Sequence, residues 1–311
     1  MRCEIGWDEI THDDQSIVTV GTFDGVHRGH QAIIDYLQQR AREQSGLSTL
    51  VSFDPHPRAV VHDDDVPLLT TVAERADALE TLGLDRFVVV PFSTDFAQLG
   101  PEEYVEKVLV EGIGVREITV GYDHRFGKGR AGDVDLLREL GEKYGFEVDV
   151  IPPQEVDRDV VSSSTIRSLL LEEGDVQRAR ELLGRSYQIE GVVAKGEGRG
   201  RKLGYPTANL ALEDARKLVP KRGVYATEVT LPNGRRRGGM LNIGRRPTFE
   251  EMEVTVEVHL LDYEGDLYGE RLTVQFLQRL RDEQRFESAD ALATQLSEDE
   301  KHCRTVIETA A

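Results

Sequence analysis

The pattern of strand and helix signals changes once along the chain, near Gly184. Before this point, short runs rich in β-branched residues alternate with patterns typical of amphipathic helices. The runs are residues 17–20, 47–53, 87–92, 118–121 and 148–151. Strands that alternate with helices predict a doubly wound parallel sheet with helices on both faces.

Beyond Tyr187 the strand patterns follow one another without helices between them. They cover residues 188–194, 223–231, 239–243, 254–261 and 272–276. A turn signal, Pro-Asn-Gly at 232–234, predicts a hairpin, and residues 289–307 predict a closing helix with Ser288 as its cap. This half therefore predicts a small antiparallel β-barrel with a terminal helix. Because 311 residues exceed the usual size of one domain, we expect two, residues 1–184 and 185–311.

Local signals mark the ends of several helices in the first half. A helix is predicted at residues 31–43, and Pro101 stands where a first-turn proline is common. Asp133 can cap a helix at residues 134–144. Asp175 can cap a last helix, which is expected to end at Gly184.

The acidic composition limits the kinds of partner. With 38 basic and 57 acidic residues, the formal net charge is −19, so we expect no binding of nucleic acid. Cys3 and Cys303 lie near opposite ends of the chain, which favours two incidental thiols in a reducing compartment. No apolar run approaches the roughly 20 residues of a membrane span. We expect a cytoplasmic protein that binds small molecules, as a monomer or a weak homo-oligomer.

A stretch rich in glycine and histidine, GTFDGVHRGH, follows the 17–20 run and leads into the predicted helix. Unpaired backbone N–H groups at such a helix start attract anions, and His27 and His30 can add ring donors. Its glycines keep Cβ atoms away where the backbone turns sharply or approaches a ligand. They are Gly21, Gly25 and Gly29. The stretch predicts a phosphate cradle, although two surface histidines would produce the same short motif by chance.

Two further segments have the chemistry of a phosphate site. Residues 120–130 leave another predicted strand end and concentrate three basic residues in an otherwise acidic chain. Residues 162–167 open a helix with hydroxyl side chains, and Arg167 offers a planar fork to phosphate. A basic glycine loop and an ordinary serine cap would explain each segment singly. Three such segments at strand ends or helix starts favour a shared anion site.

In the second half, a glycine-rich stretch, GEGRGRKLGYPTAN, has the composition of a phosphate loop. Its backbone can wrap phosphates closely, although it is not a Walker A loop. The residues in question are Gly196, Gly198, Lys202 and Gly204. Thr207 and Asn209 share one face of an extended chain, so both could meet the same Mg²⁺ or phosphate. A flexible basic loop leading into a strand is the alternative.

Glu257 is a second candidate in this half. Strict alternation over residues 254–261 places Thr255, Glu257 and His259 on one face of a strand, opposite apolar residues. A half-buried strand with a solvated face explains this pattern completely. A carboxylate that faces a phosphate site could instead take a hydroxyl proton as phosphoryl transfer begins.

The motifs of the first half resemble the N-terminal module of the bacterial bifunctional riboflavin kinase and FMN adenylyltransferase family, also called FAD synthetase. They are GTFDGVHRGH, FDPHP, GYDHRFGKGRAGD and SSSTIR, in this order. That module belongs to the HxGH nucleotidyltransferase superfamily. The resemblance implies in-line attack by a substrate phosphate on the α-phosphorus of ATP, with release of pyrophosphate. His27 and His30 would stabilise charge on the phosphates.

The same resemblance implies roles for other residues of the first half. Asp123 stands at an Asn/Asp position of the family and is an implied catalytic residue, and Arg167, also implied as catalytic, would contact phosphate together with Ser164. The implied ATP-binding residues are Gly21, Asp24, Gly25, Gly29 and Ser164, and the implied flavin-binding residues are Phe53, His56 and Pro57. The chain departs from the family pattern at two positions. His124 replaces an aromatic residue that is common after Asp123, and Ser164 stands where Thr is usual.

The motifs of the second half resemble the riboflavin kinase module of the same family. They are GRGRKLGYPTANL, RGVYAT, LNIGRRPTF, VEVHLLDYEGDLYGERL and LRDEQRF. The resemblance implies that Thr207 and Asn209 bind Mg²⁺ and ATP and that Glu257 is the base for the ribityl hydroxyl. The glycine-rich stretch would also bind ATP, and Arg281 and Phe286 would close over the flavin. A charged turn and a hydrophobic helix staple would equally explain the last two residues.

The expected function is therefore the phosphorylation of riboflavin to FMN in the second domain and the adenylylation of FMN to FAD in the first. Mg²⁺ and ATP would serve both steps. The alternatives are a riboflavin kinase with an impaired adenylyltransferase domain, or a catalytically silent flavin-binding regulatory protein. A nucleotidyltransferase for another phosphorylated substrate would explain only the first half.

Overall fold

The computed structural model describes residues 1–62, 64–151, 161–195, 204–247 and 252–310. The chain forms two units, Met1–Ser163 and Ser164–Ala311. The division falls at the start of a helix, Ser163–Ser168. The domain boundary at Gly184, where the sequence pattern changes, remains a prediction.

The first unit contains a sheet of six parallel strands in the order β1-β4-β3-β2-β5-β6. The strands are β1 (Arg2–Ile5), β2 (Ser16–Val20), β3 (Leu47–Asp54), β4 (Arg86–Pro91), β5 (Val115–Gly121) and β6 (Glu147–Ile151). The sequence predicted the last five of these, and the parallel sheet is confirmed. It did not predict β1.

Helices connect these strands. They are α1 (Arg28–Gln44), α2 (Pro57–His62), α3 (Val72–Thr81), α4 (Pro101–Tyr104), which continues as the π-helical segment Val105–Ile113, and α5 (Val134–Tyr144). Pro101 begins α4, and the Asp133 carboxylate caps α5 by accepting from the Leu136 N–H at 3.0 Å, both as predicted. Helix α1 begins three residues earlier than expected, because His27 serves as its cap.

Both faces of the sheet are covered, which confirms the doubly wound arrangement. Successive strand residues point to opposite faces, so neighbours such as Ile17 and Val18 belong to different apolar clusters. Ile17 packs in the cluster that contains Ile34 and Leu37 of α1. Val18 packs in the cluster that contains Leu137 of α5.

Strand β1 is held at the sheet edge by a buried ion pair. Arg86 of β4 is 1% exposed, and its guanidinium donates to the Glu4 carboxylate at 2.7 Å and to the Ser16 hydroxyl at 3.1 Å. It also donates to the Thr11 carbonyl. Burial works to raise the pKa of Glu4, but hydrogen bonds from Arg86 and Thr11 outweigh it and hold this pKa below its usual value. A charged pair therefore replaces the apolar contacts that usually anchor an edge strand.

We predict that Arg86→Met destabilises the first unit by about 3–5 kcal/mol, because it leaves the Glu4 carboxylate buried without its cation. Urea denaturation, followed by fluorescence of the single tryptophan, Trp7, measures this unit. Arg2→Met is the matched control. Arg2 approaches Glu4 at 3.7 Å but its side chain is 53% exposed, so its loss should cost less than about 1 kcal/mol. Equal losses of stability in the two variants would contradict the conclusion that the buried Arg86–Glu4 ion pair anchors β1.

The second unit contains a closed barrel in the order β10-β11-β8-β7-β12-β9, as predicted from the helix-free strand pattern. Its strands are β7 (Gln188–Ala194), β8 (Ala208–Ala211), β9 (Gly223–Thr230), β10 (Arg236–Pro247), β11 (Met252–Leu260) and β12 (Arg271–Arg281). Helix α6 (Ser163–Ser168) continues as the π-helical segment Leu169–Glu173 and is followed by α7 (Val176–Leu183). Asp175 caps α7 and Gly184 ends it, as predicted.

The terminal helix α8 (Ala289–Ala310) packs on the outer surface of the barrel. Its fully buried Cys303 and its Ile307 belong to an apolar cluster with Val224 and Met240. Gly238 allows this close approach, since a Cβ there would lie 2.5 Å from Ile307 Cδ1. Within the described ranges, no helix is long and apolar enough to cross a membrane.

Candidate active sites

The strand order of the first unit opens a crevice at the carboxyl ends of β2 and β5. These strands are neighbours, yet the chain leaves β2 toward β3 and reaches β5 only after β4, which lies on that same side. Open parallel sheets bind ligands at such a switch point. The histidine stretch follows β2 and the basic loop at 121–133 follows β5, so the fold brings two of the predicted phosphate segments to one edge.

The two histidines stack on each other at the start of α1. Their ring centroids lie 3.6 Å apart with 17° between the planes, and the Phe23 ring packs on His30 at 4.6 Å. His27 is the N-cap residue of α1, and its Nδ1 accepts from the His30 backbone N–H at 3.3 Å. Stacking and capping therefore hold both imidazoles at a helix N-terminus.

The capping hydrogen bond also determines the tautomer of His27. A backbone N–H can only donate, so the His27 Nδ1 atom that receives it carries no proton. In the neutral ring the proton then lies on Nε2, on the other side of the imidazole. In this tautomer the hydrogen-bond donor of the ring is Nε2.

Glycines leave room for the rings of this cradle. A Cβ on Gly29 would lie 3.3 Å from Nδ1 of His27, and a Cβ on Gly21 would lie 3.0 Å from the Phe23 ring. Both distances are tighter than ordinary van der Waals contact, so a side chain at either position would push on a ring. These contacts agree with the need for glycine inferred from the sequence.

The backbone between the glycines is strained. Phe23 has a φ of 46°, Gly25 of 85° and Val26 of 41°, and a β-branched residue at positive φ is a genuine outlier. Asp24, between them, is fully buried, and its carboxylate accepts from the N–H and the hydroxyl of Thr70 at 2.9 and 3.1 Å. No sequence signal pointed to Thr70, which lies 46 residues further along the chain.

The loop after β5 presents Asp123 to solvent and packs His124 inward. The His124 ring lies 5.8 Å from that of Phe126 and lines a groove of about 280 Å³ at the start of α5. Burial lowers the pKa of His124 to about 4, and the Arg130 cation adds to this effect, while Asp123 opposes it. His124 is thus a neutral ring near neutral pH.

The expected flavin-binding residues of the first unit lie at the end of β3, the strand next to β2. The half-buried Phe53 ring contacts Phe92 and Phe96 at centroid distances of 5.6 and 6.1 Å. His56 Nδ1 accepts from the Arg58 N–H at 3.2 Å, and Pro57 begins α2. An aromatic cluster therefore borders the carboxyl edge of the sheet.

Ser164 and Arg167 belong to the second unit. Both lie on α6, Ser164 exposed and Arg167 partly buried. The neighbouring Ser163, the last residue of the first unit, donates its hydroxyl to the Asp24 carbonyl at 2.9 Å. This contact lies within the first unit.

The barrel brings the predicted kinase residues together on its outer surface. The Thr207 hydroxyl donates to Glu257 Oε2 at 3.2 Å, and Asn209 of β8 is the direct register partner of Glu257 on β11. Directly opposed residues of antiparallel strands share a face. The flanking residues Val256 and Val258 are buried, which confirms the predicted alternation.

The register extends this set into a row across five strands. Asn209, Glu257, Asn242, Val224 and Arg281 are consecutive register partners on β8, β11, β10, β9 and β12. Strands lie about 4.8 Å apart, so the backbone positions of Arg281 and Glu257 are about 14 Å apart along the surface. Asn242 was missed as a site residue. Its only signal was a polar residue between the buried Leu241 and Ile243.

The loop after β12 approaches the same surface. Glu283 lies directly above Gly244, where a Cβ would be 2.8 Å from Glu283 Oε1 and 3.2 Å from the Asn242 amide nitrogen. Arg281 donates to the buried Asp299 of α8 at 2.7 and 2.9 Å, and its guanidinium lies 5.8 Å from the Phe286 ring. Arg281 therefore anchors the base of this loop to α8.

Part of the predicted phosphate loop lies outside the described residues. This holds for Gly196, Gly198 and Lys202. Gly204 is described; it is exposed, with a φ of 85°. Among the described residues no cluster of three His, Cys, Asp or Glu side chains could hold a metal. Thr207, Asn209 and Glu257 instead offer hydroxyl, amide and carboxylate oxygens.

Two family models together cover most of the chain. Residues 9–165 match FAD synthetase and residues 183–307 match riboflavin kinase. The chain is 42% identical over 284 residues to the bifunctional riboflavin kinase/FMN adenylyltransferase of Pseudomonas fluorescens, which covers 91% of this chain and 90% of that protein. It is 37% identical to the protein of the same name from Escherichia coli strain K12, with 93% and 91% covered.

A solved structure has nearly the same fold over its whole length. It is described as a macrolide-efflux protein from Streptococcus pneumoniae and superposes with a TM-score of 0.88 at 31% identity. The match covers 98% of this chain and 99% of that chain. The folds found in this chain are therefore shared with a known structure.

We predict that the His124 imidazole titrates near pH 4, well below the usual value of about 6.5, because burial and Arg130 disfavour its cation. The unfolded chain then binds the proton first, so His124 contributes stability that is lost as the pH falls from about 6.5 to 4. An NMR titration of the ring measures this. In Arg130→Gln the midpoint should rise. A midpoint at or above 6.5 in the unaltered protein would contradict the burial of the ring.

Proposed function

Because the chain belongs to the family of bifunctional riboflavin kinases and FMN adenylyltransferases, we propose that its two sites divide the family's two reactions between them. The protein is a flavin-biosynthetic enzyme that phosphorylates riboflavin to FMN and adenylylates FMN to FAD. We assign the kinase step to the outer row of the barrel and the adenylyl transfer to the cradle after β2.

The contact between Thr207 and Glu257 carries the kinase assignment. Glu257 stands in the row that also contains Asn209, so its carboxylate faces the oxygens expected to hold the nucleotide. Glu257 takes the proton of the terminal ribityl hydroxyl, and that oxygen attacks the γ-phosphorus of ATP. The bond to the bridging oxygen breaks, and ADP leaves with its electrons.

The donor set around Glu257 fits a magnesium ion. Thr207 and Asn209 would hold the ion with hard oxygen ligands, which Mg²⁺ prefers, and Glu257 adds a negative charge nearby. The chemistry that Mg²⁺ would supply there, bound together with ATP, is neutralisation of charge that develops on the phosphates. Thr207 and Asn209 would meanwhile orient the nucleotide, while Glu257 handles the proton.

The cradle after β2 suits adenylyl transfer. An ionised FMN phosphate oxygen attacks the α-phosphorus of ATP directly, and pyrophosphate leaves, so no general base is required. His27 donates through Nε2, and His30 lies stacked on it at the helix N-terminus. These donors stabilise negative charge on the phosphates during transfer. Asp123, Ser164 and Arg167 are assigned to the same step on the family resemblance.

We assign the flavin-binding residues from the aromatic and cationic side chains near each site. Phe53, His56 and Pro57 are assigned to FMN in the adenylyltransferase step, since they lie one strand away from the cradle. Arg281 and Phe286 are assigned to riboflavin in the kinase step. The backbone separation of about 14 Å between Arg281 and Glu257 along the barrel surface suits a flavin ring system with its ribityl chain.

Several alternatives are less well supported. A silent flavin-binding protein would not need a carboxylate placed against Thr207, and a kinase with an impaired first unit would not need His27 held as an Nε2 donor. Efflux, the activity named for the Streptococcus pneumoniae structure, has no counterpart in these contacts. ATP as a co-substrate and two free thiols favour a cytoplasmic location.

We predict that single substitutions separate the two reactions. Glu257→Ala should lower FMN formation by about 10²–10⁴-fold, because the base is lost, and leave FAD synthesis from supplied FMN intact. His30→Ala should lower FAD synthesis by about 10²–10³-fold and leave the kinase intact. Chromatographic separation of FMN and FAD measures both.

Two controls accompany these variants. Glu228→Ala removes a carboxylate of β9 that pairs with Arg236 of β10, and His12→Ala removes an exposed histidine of the first unit. Neither should change either rate by more than about twofold. Loss of both activities in a folded His30 or Glu257 variant would contradict the two separate sites.

A further inference from the structure

A buried polar network lies beneath the strained loop of the adenylyltransferase cradle. Its central residue is Thr70, which precedes α3 and is 5% exposed. The Thr70 hydroxyl accepts from the Gly25 N–H at 2.9 Å and donates to Asp24 Oδ1 at 3.1 Å. The Thr70 and Leu69 N–H groups donate to the same carboxylate at 2.9 and 3.0 Å. One hydroxyl thus engages two successive residues of the loop.

A second arm of the network reaches the other end of the loop. Arg75 of α3 is 2% exposed and donates through Nη1 to the Ser52 hydroxyl at 2.8 Å and through Nη2 to the Thr70 carbonyl at 3.4 Å. Ser52 in turn donates to the Thr22 carbonyl at 3.0 Å. The loop is therefore held on both sides of Phe23, from Thr22 to Gly25.

These anchors coincide with the strained residues. Phe23 and Val26, both at positive φ, directly flank the pair Asp24–Gly25 that Thr70 binds. Such conformations persist only where the surroundings hold them. His27 follows Val26 immediately, so the direction in which its ring leaves the backbone depends on this held turn.

We propose that Thr70 is a positioning residue for adenylyl transfer: its hydroxyl fixes Asp24 and Gly25 and thereby the orientation of His27 and His30. The inference rests on the proposed assignment of the cradle to FAD synthesis. It also assigns Asp24 a structural role, because its fully buried carboxylate accepts hydrogen bonds from the backbone of residues 69–70. Thr70 touches no reacting atom; it acts through the loop.

The test compares Thr70→Val, which keeps the shape but removes the hydroxyl, with Thr70→Ser, which keeps the hydroxyl. In Thr70→Val, kcat for FAD synthesis from FMN should fall about 10–100-fold, because misplaced donors stabilise the transition state poorly. The KM of Thr70→Val for FMN should change less than about threefold, because the substitution alters the loop and not the flavin contacts. Thr70→Ser keeps the hydroxyl and should retain kcat within about threefold.

Two further readouts and one control variant accompany this comparison. Riboflavin phosphorylation in the same chain must stay unchanged, and Thr81→Val, at an exposed threonine that ends α3, must leave both activities unchanged. Trp7 fluorescence reports folding of the first unit. If Thr70→Val keeps its kcat, if Thr70→Ser loses as much as Thr70→Val, or if Thr70→Val does not fold, the positioning role is overturned. Unchanged FAD synthesis in His30→Ala would instead overturn the assignment of the cradle itself.

Discussion

The return of the chain from β4 across the sheet to β5 is the constraint on which the first site depends. It places β2 and β5 side by side with their following loops leaving in opposite directions, so a crevice must open between them. The loop after β2 then has to turn sharply into α1, which it does through Phe23 and Val26 at positive φ. His27 caps the helix because the turn ends there. The buried anchors of Thr70 hold this turn in place.

Most of the framework could be predicted because its signals are local. Asp133, Asp175 and Gly184 mark helix ends in the sequence, and the structure confirms all three. The alternation around Glu257 correctly separated a polar face from an apolar one. A single residue that caps a helix or alternates along a strand acts on its immediate neighbours, so it can be read without knowledge of the fold.

Features that depend on pairing between distant segments could not be predicted. Strand β1 shows no apolar alternation in its sequence. Its buried residue is Glu4, whose partner in the buried ion pair is Arg86, 82 residues away. Asn242 joins the outer row only through the register of β10 with β11. No local sequence signal distinguishes Thr70, whose contact with Gly25 forms only in the folded protein. In each case the function of the residue is set by a partner that the local sequence does not reveal.

The most direct test of the account is one incubation of the purified protein with riboflavin, ATP and Mg²⁺, sampled over time and resolved by chromatography. Two active sites in one chain predict that FMN appears first and is then converted to FAD, with pyrophosphate released in step with FAD. FMN that accumulates without FAD would contradict the assignment of the cradle to adenylyl transfer. Absence of both products would contradict the assignment of both sites.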